Sequence, residues 1–216
     1  MKKLVIFDLD GTLLNTIADL AHSTNYALNK LGYPTHEIEK YNFMVGNGID
    51  KLFERALPEE EKSKENVLRV RKEFVPYYDI HNADDSRPYP GIPELLSYLQ
   101  DAGVQIAVAS NKYQAATQKL VDHYFPEIHF TAVFGQREGG KVKPDPIIVS
   151  DILEVAKVAK EEVLYVGDSG VDMQTAANAG VTACGVTWGF RPRTELEEFN
   201  PSYIADTAGE IKKLIL

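Results

Sequence analysis

The chain has 216 residues, of which 44% are hydrophobic, and its formal net charge is −9. That length can bury a full core as one large domain or two smaller ones, and we expect a soluble globular protein. The acidic balance disfavours a nucleic-acid backbone or an anionic membrane surface as the main partner, so an anionic substrate must meet a local positive site. No apolar stretch is long enough to span a bilayer, and the single cysteine, Cys184, fits a reducing cytoplasm.

A short apolar run, Leu4 to Phe7, predicts a buried parallel strand, because it is rich in β-branched residues and nearly continuous. Asp8 and Asp10 follow this run and precede Gly-Thr. Ligands of open α/β sheets bind at the carboxyl ends of the strands, so an acidic pair at this position favours a chemical role. The alternative interpretation is a surface turn rich in Asp and Gly.

Residues 15 to 82 show helical periodicity and no convincing strand. Apolar side chains recur at helical spacing from 17 to 31, after Gly46-Asn-Gly48, and in a more charged pattern from 59 to 78. The stretch from 82 to 91 combines polar residues with Pro and Gly, which predicts a linker. We therefore interpret residues 15 to 82, called the helical insertion below, as an all-helical unit that is free to move as a lid.

From residue 92 onward, predicted helices and strands alternate, which indicates a parallel sheet with helices on both faces and right-handed crossovers. The predicted helices are 93–102, 114–124, 147–159, 171–179 and 209–216, and the predicted strands are 105–109, 132–134, 163–166, 182–186 and 203–204. The predicted fold class is α/β. Residues 1 to 14 and 83 to 216 form the predicted core domain, and the helical insertion forms a second domain.

Four strands of the predicted core end in polar residues. The first is followed by Asp8 and Asp10, the strand 105–109 by Ser110-Asn-Lys112, the strand 132–134 by a loop with Lys141 and Lys143, and the strand 163–166 by Gly167-Asp-Ser-Gly-Val-Asp172. Because the carboxyl ends of parallel strands meet at one edge, we expect carboxylates, a hydroxyl and a lysine to converge on one pocket.

The converging carboxylates predict a metal site, because they repel one another unless a cation joins them, and hard oxygen ligands suit Mg²⁺. Asp8 and Asp168 are the expected direct ligands. Asp10 would bind through its backbone carbonyl, with its side chain left free. Asp172, about one helical turn beyond Asp168, would support the site without binding the metal. The alternative for Asp168 and Asp172 is the capping of a helix N-terminus.

Such a site suits the attack of a carboxylate on a phosphorylated substrate, which forms an aspartyl phosphate. Attack of one anion on another is opposed by about 4 kcal/mol per charge pair at ~4 Å and an effective dielectric near 20, and Mg²⁺ with one lysine can offset this. Ser110 and the backbone N–H groups around Asn111, at the start of a predicted helix, are suited to hold phosphate oxygens. A helix N-cap is the alternative for Ser110, and the two roles are compatible.

Four stretches of the chain resemble the ordered motifs of the haloacid dehalogenase superfamily of phosphotransferases: Phe7-Asp-Leu-Asp-Gly-Thr-Leu, Ser110-Asn-Lys, Lys143-Pro-Asp-Pro and Val166-Gly-Asp-Ser-Gly-Val-Asp. The resemblance covers nearly the whole chain and implies a Rossmann-like core. It implies that Asp8 is the nucleophile, Asp10 the general acid/base, Ser110 a phosphate ligand and Lys143 the charge-neutralising lysine. Asp168, Asp8 and the Asp10 carbonyl would form the Mg²⁺ site.

Further assignments depend on the same resemblance. Lys141 competes with Lys143 for the lysine role, but Lys143 fits the Lys-Pro pattern. Thr12, Asn111, Ser110 and Lys143 are the predicted substrate-binding residues of the core. The dehalogenases themselves lack the second aspartate of the first motif, so Asp10 favours phosphoryl chemistry.

The helical insertion resembles the C1 cap of that superfamily, and Phe43-Met-Val-Gly-Asn-Gly-Ile-Asp-Lys-Leu resembles its phosphoglycolate phosphatase subfamily. Gly46, Asn47 and Gly48 are therefore predicted to bind substrate. Two glycines before a helix let backbone N–H groups face an anion, such as the carboxylate of a small phosphorylated acid. The alternative is a plain turn at the entry to a helix.

The sequence thus predicts Mg²⁺-dependent hydrolysis of a small phosphomonoester through an aspartyl phosphate, as in phosphoglycolate phosphatases. One alternative is a sugar phosphomutase of the same superfamily, although Gly-Thr follows Asp10 where the mutases typically have Gly-Val. A noncatalytic binding module is the other. We expect a cytoplasmic monomer or weak homodimer that binds a small phosphorylated metabolite, with no nucleic-acid or membrane partner. Trp188-Gly-Phe-Arg191 follows a late predicted strand and would either border the pocket or serve as packing or a loop turn, and we favour the second interpretation.

Overall fold

The computed structural model describes residues 1 to 215 of the chain. The strands are β1 (Leu4–Phe7), β2 (Leu14–Asn15), β3 (Arg87–Pro88), β4 (Gln105–Tyr113), β5 (Ala132–Gln136), β6 (Val163–Gly167), β7 (Thr182–Val186) and β8 (Tyr203–Ala205). The helices are α1 (Ile17–Lys30), α2 (Ile49–Ala56), α3 (Lys64–His81), α4 (Ile92–Asp101), α5 (Gln114–Tyr124), α6 (Ile147–Ala156), α7 (Gly170–Ala179), α8 (Arg193–Glu198) and α9 (Ala208–Lys212). Short 3-10 turns lie at Ile38–Phe43, Glu59–Glu61 and Lys160–Glu162.

Six strands form one parallel sheet in the order β5-β4-β1-β6-β7-β8. β1 lies inside this sheet, between β4 and β6, and the strand order runs outward from it in both directions. Such a switch in strand order leaves a crevice at the carboxyl ends of the strands involved. The structure therefore places the crevice directly after Phe7, where Asp8 and Asp10 lie.

Helices cover both faces of the sheet, which explains why β1 is apolar at every position. Val5 and Phe7 pack with residues of α4, α5 and α9, and Leu4 and Ile6 pack with residues of α6 and α7 on the other face. All four side chains of β1 are fully buried. The predicted α/β fold class, with a parallel sheet between two layers of helices, is confirmed.

The helical insertion has an apolar cluster of its own. Residues of α1, α2 and α3 form it, and Phe53 packs edge to face against Phe74, with ring centroids 4.9 Å apart. Ala116 of α5 also belongs to this cluster, and Tyr113 and Phe190 pack against it, so the insertion lies on the core at that point. The division of the chain into domains at residues 15 and 83 stays a prediction.

The two ends of the helical insertion are joined by a small ribbon that the sequence analysis missed. β2 pairs antiparallel with β3 through Leu14–Pro88 and Asn15–Arg87, so strand residues lie at 15 and inside the predicted linker. The carboxylate of Asp19 accepts hydrogen bonds from the backbone N–H groups of Asp85 and Ser86. Two-residue strands are too short to show alternation, which is why this pairing has no sequence pattern.

Several predicted boundaries of the core were wrong. β4 continues to Tyr113 instead of ending at 109, because it pairs with β5 again after a register shift between Ala109 and Tyr113. α6 ends at Ala156 instead of 159, where Lys157 adopts a left-handed φ of 57°. α8 was not predicted, because only Leu196 of its six residues is buried and no periodicity results.

Two helix ends differ from their predicted positions. α3 begins at Lys64 instead of 59, because Ser63 accepts a hydrogen bond from the N–H of Asn66 and caps the helix there. α9 spans Ala208–Lys212 where 209–216 was predicted. Residue 216 lies outside the described residues. No helix in residues 1 to 215 combines the length and apolar character needed to cross a bilayer.

Candidate active site

Asp8 lies at the carboxyl end of β1 and is almost completely buried. Its backbone N–H donates to the carbonyl of Val166, so β6 continues to hold the chain one residue beyond the strand. One carboxylate oxygen, Oδ1, accepts a hydrogen bond from the N–H of Leu9 at 2.7 Å and lies 3.0 Å from Nζ of Lys143. Within residues 1 to 215, Asp8 Oδ2 accepts no hydrogen bond from the protein.

Lys143 joins two buried carboxylates. Its Nζ lies 3.0 Å from Oδ1 of Asp8 and 2.7 Å from Oδ1 of Asp172. Burial acts to lower the pKa of Lys143, but Asp172 and Asp8 outweigh it and raise that pKa well above its ordinary value. Burial, with Asp172 next in size, raises the pKa of Asp8 to about 7, while Lys143 opposes the rise. The lysine therefore stays charged and stabilises the ionised form of Asp8.

The two oxygens of Asp172 bind different sets of protein donors. Its Oδ2 accepts hydrogen bonds from the N–H and the hydroxyl of Ser169, which completes a capping box at the start of α7. Its Oδ1 accepts hydrogen bonds from Lys143 at 2.7 Å and from the hydroxyl of Tyr165 at 3.2 Å. Both oxygens of Asp172 are thus occupied by protein donors, so it orients Lys143.

Asp168 does not cap α7, because Ser169 occupies that position. Its Oδ2 accepts a hydrogen bond from the N–H of Phe190 at 2.7 Å. The backbone of two glycines packs closely against the Asp168 side chain. A Cβ added to Gly11 would lie 2.2 Å from Asp168 Oδ2, and a Cβ added to Gly189 would lie 2.2 Å from Asp168 Cβ. Such close approach requires glycine at both positions, and it fixes the orientation of Asp168.

The buried carboxylates fit a hard divalent cation. Asp8, Asp168 and Asp172 each offer an oxygen, and these oxygens lie within 4.8 Å of one another. Burial, followed by repulsion from Asp172 and Asp8, raises the pKa of Asp168 well above its ordinary value. Three carboxylates share one lysine, so a cation would offset the remaining repulsion, and an all-oxygen donor set suits Mg²⁺. Asp172 accepts two hydrogen bonds on each of its oxygens. Asp168 accepts one short hydrogen bond, on Oδ2, and a long one on Oδ1, and Asp8 accepts from protein donors on Oδ1, so these two carboxylates have more free lone pairs for an ion.

Both side-chain oxygens of Asp10 are held by protein donors. The hydroxyl of Thr16 donates to Oδ1 at 2.7 Å, and Nζ of Lys112 donates to Oδ2 at 2.9 Å. The carboxylate of Asp10 therefore lies between Thr16, which immediately precedes α1, and Lys112 near the end of β4. Lys112 is the last residue of the Ser110-Asn-Lys motif, and no role was predicted for it from the sequence.

Ser110 and Asn111 are buried beside Lys143. Ser110 does not cap α5, which begins at Gln114 with Tyr113 before it, so the helix-start interpretation was wrong. The cause is the register shift in β4, which keeps residues 110 to 113 in an extended strand. The side chain of Asn111 donates to the carbonyls of Gly46 and Lys143 and accepts from the N–H of Lys143 at 2.8 Å. The side-chain amide of Asn111 therefore links the core to the helical insertion through hydrogen bonds.

The glycine turn of the helical insertion reaches the same pocket. Gly46 and Gly48 line it together with Asp8, Asp10 and Ser110. Both glycines have positive φ values, 108° and 86°, which other residues rarely adopt. Gly48 immediately precedes α2, whose first N–H groups have no partner within the helix.

Three predicted residues lie apart from this pocket. The side chain of Asn47 accepts a hydrogen bond from Arg55 at the surface. Thr12 is fully buried, with its hydroxyl 3.5 Å from Asp168 Oδ1, which places it beside that carboxylate. The side chain of Lys141 is 74% exposed and pairs with Asp145 at 2.9 Å, so it does not share the position of Lys143.

The segment 188–191, which follows β7, is part of the site and was interpreted too narrowly from the sequence. Trp188 Nε1 donates to the carbonyl of Thr12 at 3.0 Å, and the Phe190 N–H holds Asp168. The guanidinium of Arg191 donates to the carbonyls of Asn42 and Val45, which precede the glycine turn. The available signal was its position, since it follows the carboxyl end of another strand of the sheet.

A family model described as haloacid dehalogenase-like hydrolase matches residues 5–186. A phosphoglycolate phosphatase of Vibrio parahaemolyticus is 32% identical over 218 residues, covering 99% of this chain and 96% of that protein. One of Mesorhizobium japonicum is 32% identical over 205 residues, covering 94% and 90%. The crystal structure of a candidate phosphoglycolate phosphatase from Lactobacillus delbrueckii subsp. bulgaricus has a TM-score of 0.93 and 34% identity, covering 100% of this chain and 99% of its own. The resemblance found in the sequence is confirmed: the chain belongs to the haloacid dehalogenase-like hydrolases, and it is a phosphatase.

Proposed function

We propose that the protein hydrolyses phosphoglycolate, or a closely similar phosphorylated small acid, through an aspartyl phosphate on Asp8 and with Mg²⁺. The observation that supports this most is the pairing of Asp8 with Lys143 beside Asp168, at the carboxyl end of β1. Asp8, Asp168 and the backbone carbonyl of Asp10 would hold the ion. When bound, Mg²⁺ supplies positive charge that lowers the repulsion between Asp8 and the phosphoryl group.

The residues divide the reaction into two steps. In the first, Oδ2 of Asp8 attacks phosphorus, the bond from phosphorus to the leaving oxygen breaks, and Asp10 gives that oxygen its proton. In the second, a water attacks the phosphorus, Asp10 takes the water's proton, and the bond from phosphorus to Asp8 Oδ2 breaks, which releases phosphate and restores the Asp8 carboxylate. Lys143 orients Asp8 in both steps and, with Ser110, stabilises the negative charge of the phosphoryl group.

The choice of substrate rests on the pocket and on the relatives. Gly46 and Gly48 lie at the start of α2, where free backbone N–H groups can bind the carboxylate of a small substrate. The curated relatives that match nearly the whole chain are phosphoglycolate phosphatases. A sugar phosphomutase has weaker support, because Gly-Thr follows Asp10 where the mutases typically have Gly-Val.

Three further features belong to this proposal. We place the protein in the cytoplasm, which the free, buried Cys184 supports. We also propose that it is a monomer or weak homodimer. We also propose that the helical insertion acts as a mobile cap, which excludes water and brings the glycine turn to the substrate.

A substrate screen tests the proposed function. We expect phosphate release from phosphoglycolate to exceed release from glucose 1-phosphate and from glycerol 1-phosphate by at least about tenfold in kcat/KM, equivalent to about 1.4 kcal/mol. Conversion of glucose 1-phosphate to the 6-phosphate without phosphate release would support the mutase instead. Equal rates on all three esters would refute the choice of a small acid.

Metal removal tests the proposed cation. Treatment with EDTA followed by desalting is expected to lower turnover of phosphoglycolate by at least about 100-fold, because charge stabilisation at the phosphoryl group is lost. Addition of Mg²⁺ should restore it, and calorimetry should show that binding of Mg²⁺ is lost in Asp168→Asn. Full activity after chelation would contradict the assignment.

Arg191→Met tests the contact between the core and the glycine turn. The substitution removes two hydrogen bonds from a cation to the carbonyls of Asn42 and Val45. We expect KM for phosphoglycolate to rise about tenfold with a smaller change in kcat, because a hydrogen bond to a charged group contributes about 1.5–3 kcal/mol. Arg193→Met is the matched control, since Arg193 pairs with Glu197 and Asp206 at the surface. Equal kinetics of the two variants would exclude this role.

A further inference from the structure

Lys112 is a buried cation in the active-site pocket that has no place in the mechanism above. Its side chain is 2% exposed, and it lines the pocket with Asp8 and Asp10. Within residues 1 to 215, its Nζ has one hydrogen-bond acceptor, Oδ2 of Asp10 at 2.9 Å. Burial of a charged lysine costs free energy unless an opposite charge or hydrogen bonds compensate it, so the single contact to Asp10 requires an explanation.

The helical insertion covers Lys112 from the other side. Nζ lies 4.9 Å from the ring centroid of Tyr78, which belongs to α3. That ring is stacked on Phe74 with centroids 5.0 Å apart, within the apolar cluster of the insertion. The hydroxyl of Tyr78 is buried and has no partner in the described part of the chain, so the ring face is what Tyr78 offers. A cation over such a ring is attracted to its negative face, and more strongly when both are removed from water.

The other oxygen of Asp10, Oδ1, is held by a residue of the helical insertion. Thr16 donates to Oδ1 at 2.7 Å and immediately precedes α1. The carboxylate of Asp10 is therefore clamped between Thr16 and Lys112, and the Lys112 ammonium lies between Asp10 and Tyr78. Proton transfer needs such alignment, because a donor displaced by about 1 Å can lose about 100-fold in rate.

We infer that Lys112 is a positioning residue, which holds the carboxylate of Asp10 toward the leaving oxygen while Tyr78 of the helical insertion covers it. This inference rests on the proton-transfer role of Asp10 in the proposed function. It also gives the insertion a second task beside substrate binding, since docking of α3 completes the alignment of Asp10. The four sequence motifs give no role to this lysine.

Lys112→Met tests the inference with two esters that lack a carboxylate and differ mainly in the acidity of the leaving group. p-Nitrophenolate leaves without a proton, whereas phenolate departs more readily when Asp10 protonates it. We expect kcat/KM to fall at least about tenfold on phenyl phosphate and less than about threefold on p-nitrophenyl phosphate. Loss of folded protein would lower both values equally, so the ratio separates positioning from a structural effect.

Matched variants sharpen this test. Lys30→Met is the control, because Lys30 also pairs with a carboxylate, that of Glu73, and also lies over a tyrosine ring, but at the surface. It should change neither value. Lys112→Arg should recover part of the loss on phenyl phosphate, because it keeps a cation beside Asp10.

Asp10→Asn separates failure of the inference from failure of the proposed function. It should show the same selective loss on phenyl phosphate, and Lys112→Met added to it should lower kcat/KM by less than about twofold further. Absence of the selective loss in Asp10→Asn would refute the role of Asp10 itself. A selective loss in Asp10→Asn combined with an equal loss on both esters in Lys112→Met would overturn the inference alone.

Tyr78 provides an independent arm. Tyr78→Leu removes the ring and should produce the same selective loss on phenyl phosphate in smaller measure, whereas Tyr78→Phe keeps the ring face and should retain the wild-type ratio of the two esters. If Tyr78→Leu is folded by circular dichroism and keeps the wild-type ratio of kcat/KM on the two esters, the helical insertion does not contribute to the positioning of Asp10.

Discussion

Replacement of Lys143 by Met is expected to lower the free energy of unfolding by about 3–5 kcal/mol and to abolish measurable turnover. The variant leaves the carboxylates of Asp8 and Asp172 buried without their shared cation. The loss is large because a buried charge that has lost its partner is not compensated by water. Turnover fails because the ionised form of Asp8, whose pKa burial already raises to about 7, loses its main stabilising neighbour.

Urea unfolding in metal-free buffer measures the first effect. Lys141→Met is the matched control, since it removes a lysine two residues away that is 74% exposed and pairs with Asp145. An exposed pair contributes about 0–1 kcal/mol, so the control should stay near wild type in both stability and activity. Similar midpoints for the two variants would contradict the role of Lys143 as a buried bridge.

Asp8→Asn is expected to reduce turnover of phosphoglycolate by about 10⁴-fold or more, because the amide cannot form the acyl phosphate. The substitution keeps the shape of the side chain and removes one of three crowded carboxylates. The folded state should therefore be at least as stable as wild type in metal-free buffer at pH 8, above the pKa of about 7 to which burial raises Asp8. Steady-state kinetics and a urea titration of the same preparation check both parts.

Asp145→Asn is the control for that experiment. Asp145 lies in the same Lys-Pro-Asp-Pro stretch as Lys143 but pairs with Lys141, away from Asp8. Its turnover should stay within about threefold of wild type, as expected for a surface substitution. Retention of Mg²⁺-dependent turnover by Asp8→Asn would eliminate Asp8 as the nucleophile.

The sequence was sufficient to predict which edge of the sheet holds the candidate site and which carboxylates lie there. Each polar motif follows an apolar predicted strand, directly or, for Lys143, after a loop. Parallel strands bring their carboxyl ends to one edge, so Asp8, Ser110, Lys143 and Asp168 were predicted to converge, and they do so in the structure. The spacing of Asp168 and Asp172 left open whether they cap a helix. Side-chain contacts answer that question, with Asp172 in the capping box and Asp168 outside it.

The remaining features depend on contacts between distant parts of the chain. Lys112 and Asp10 are 102 positions apart, and no local pattern announces their pairing. Arg191 reaches the carbonyl of Asn42 across 149 positions, after a strand whose end looked like an ordinary loop. Ser110 was predicted at the start of a helix but lies in β4, because β4 pairs with β5 again after a register shift. All three features, the two long-range contacts and the position of Ser110, are set by tertiary packing, which a local sequence pattern does not show.

The most direct test of the proposed mechanism is to trap the phosphoenzyme. The full-length protein would be mixed with Mg²⁺ and a ³²P-labelled phosphomonoester that it hydrolyses, quenched in acid within milliseconds, and digested for mapping. We predict acid-stable, hydroxylamine-sensitive label on the peptide that contains Asp8, formed and lost at rates at least as fast as turnover, and absent from Asp8→Asn. Rapid release of phosphate with no label on that peptide, or label on another residue, would contradict the mechanism.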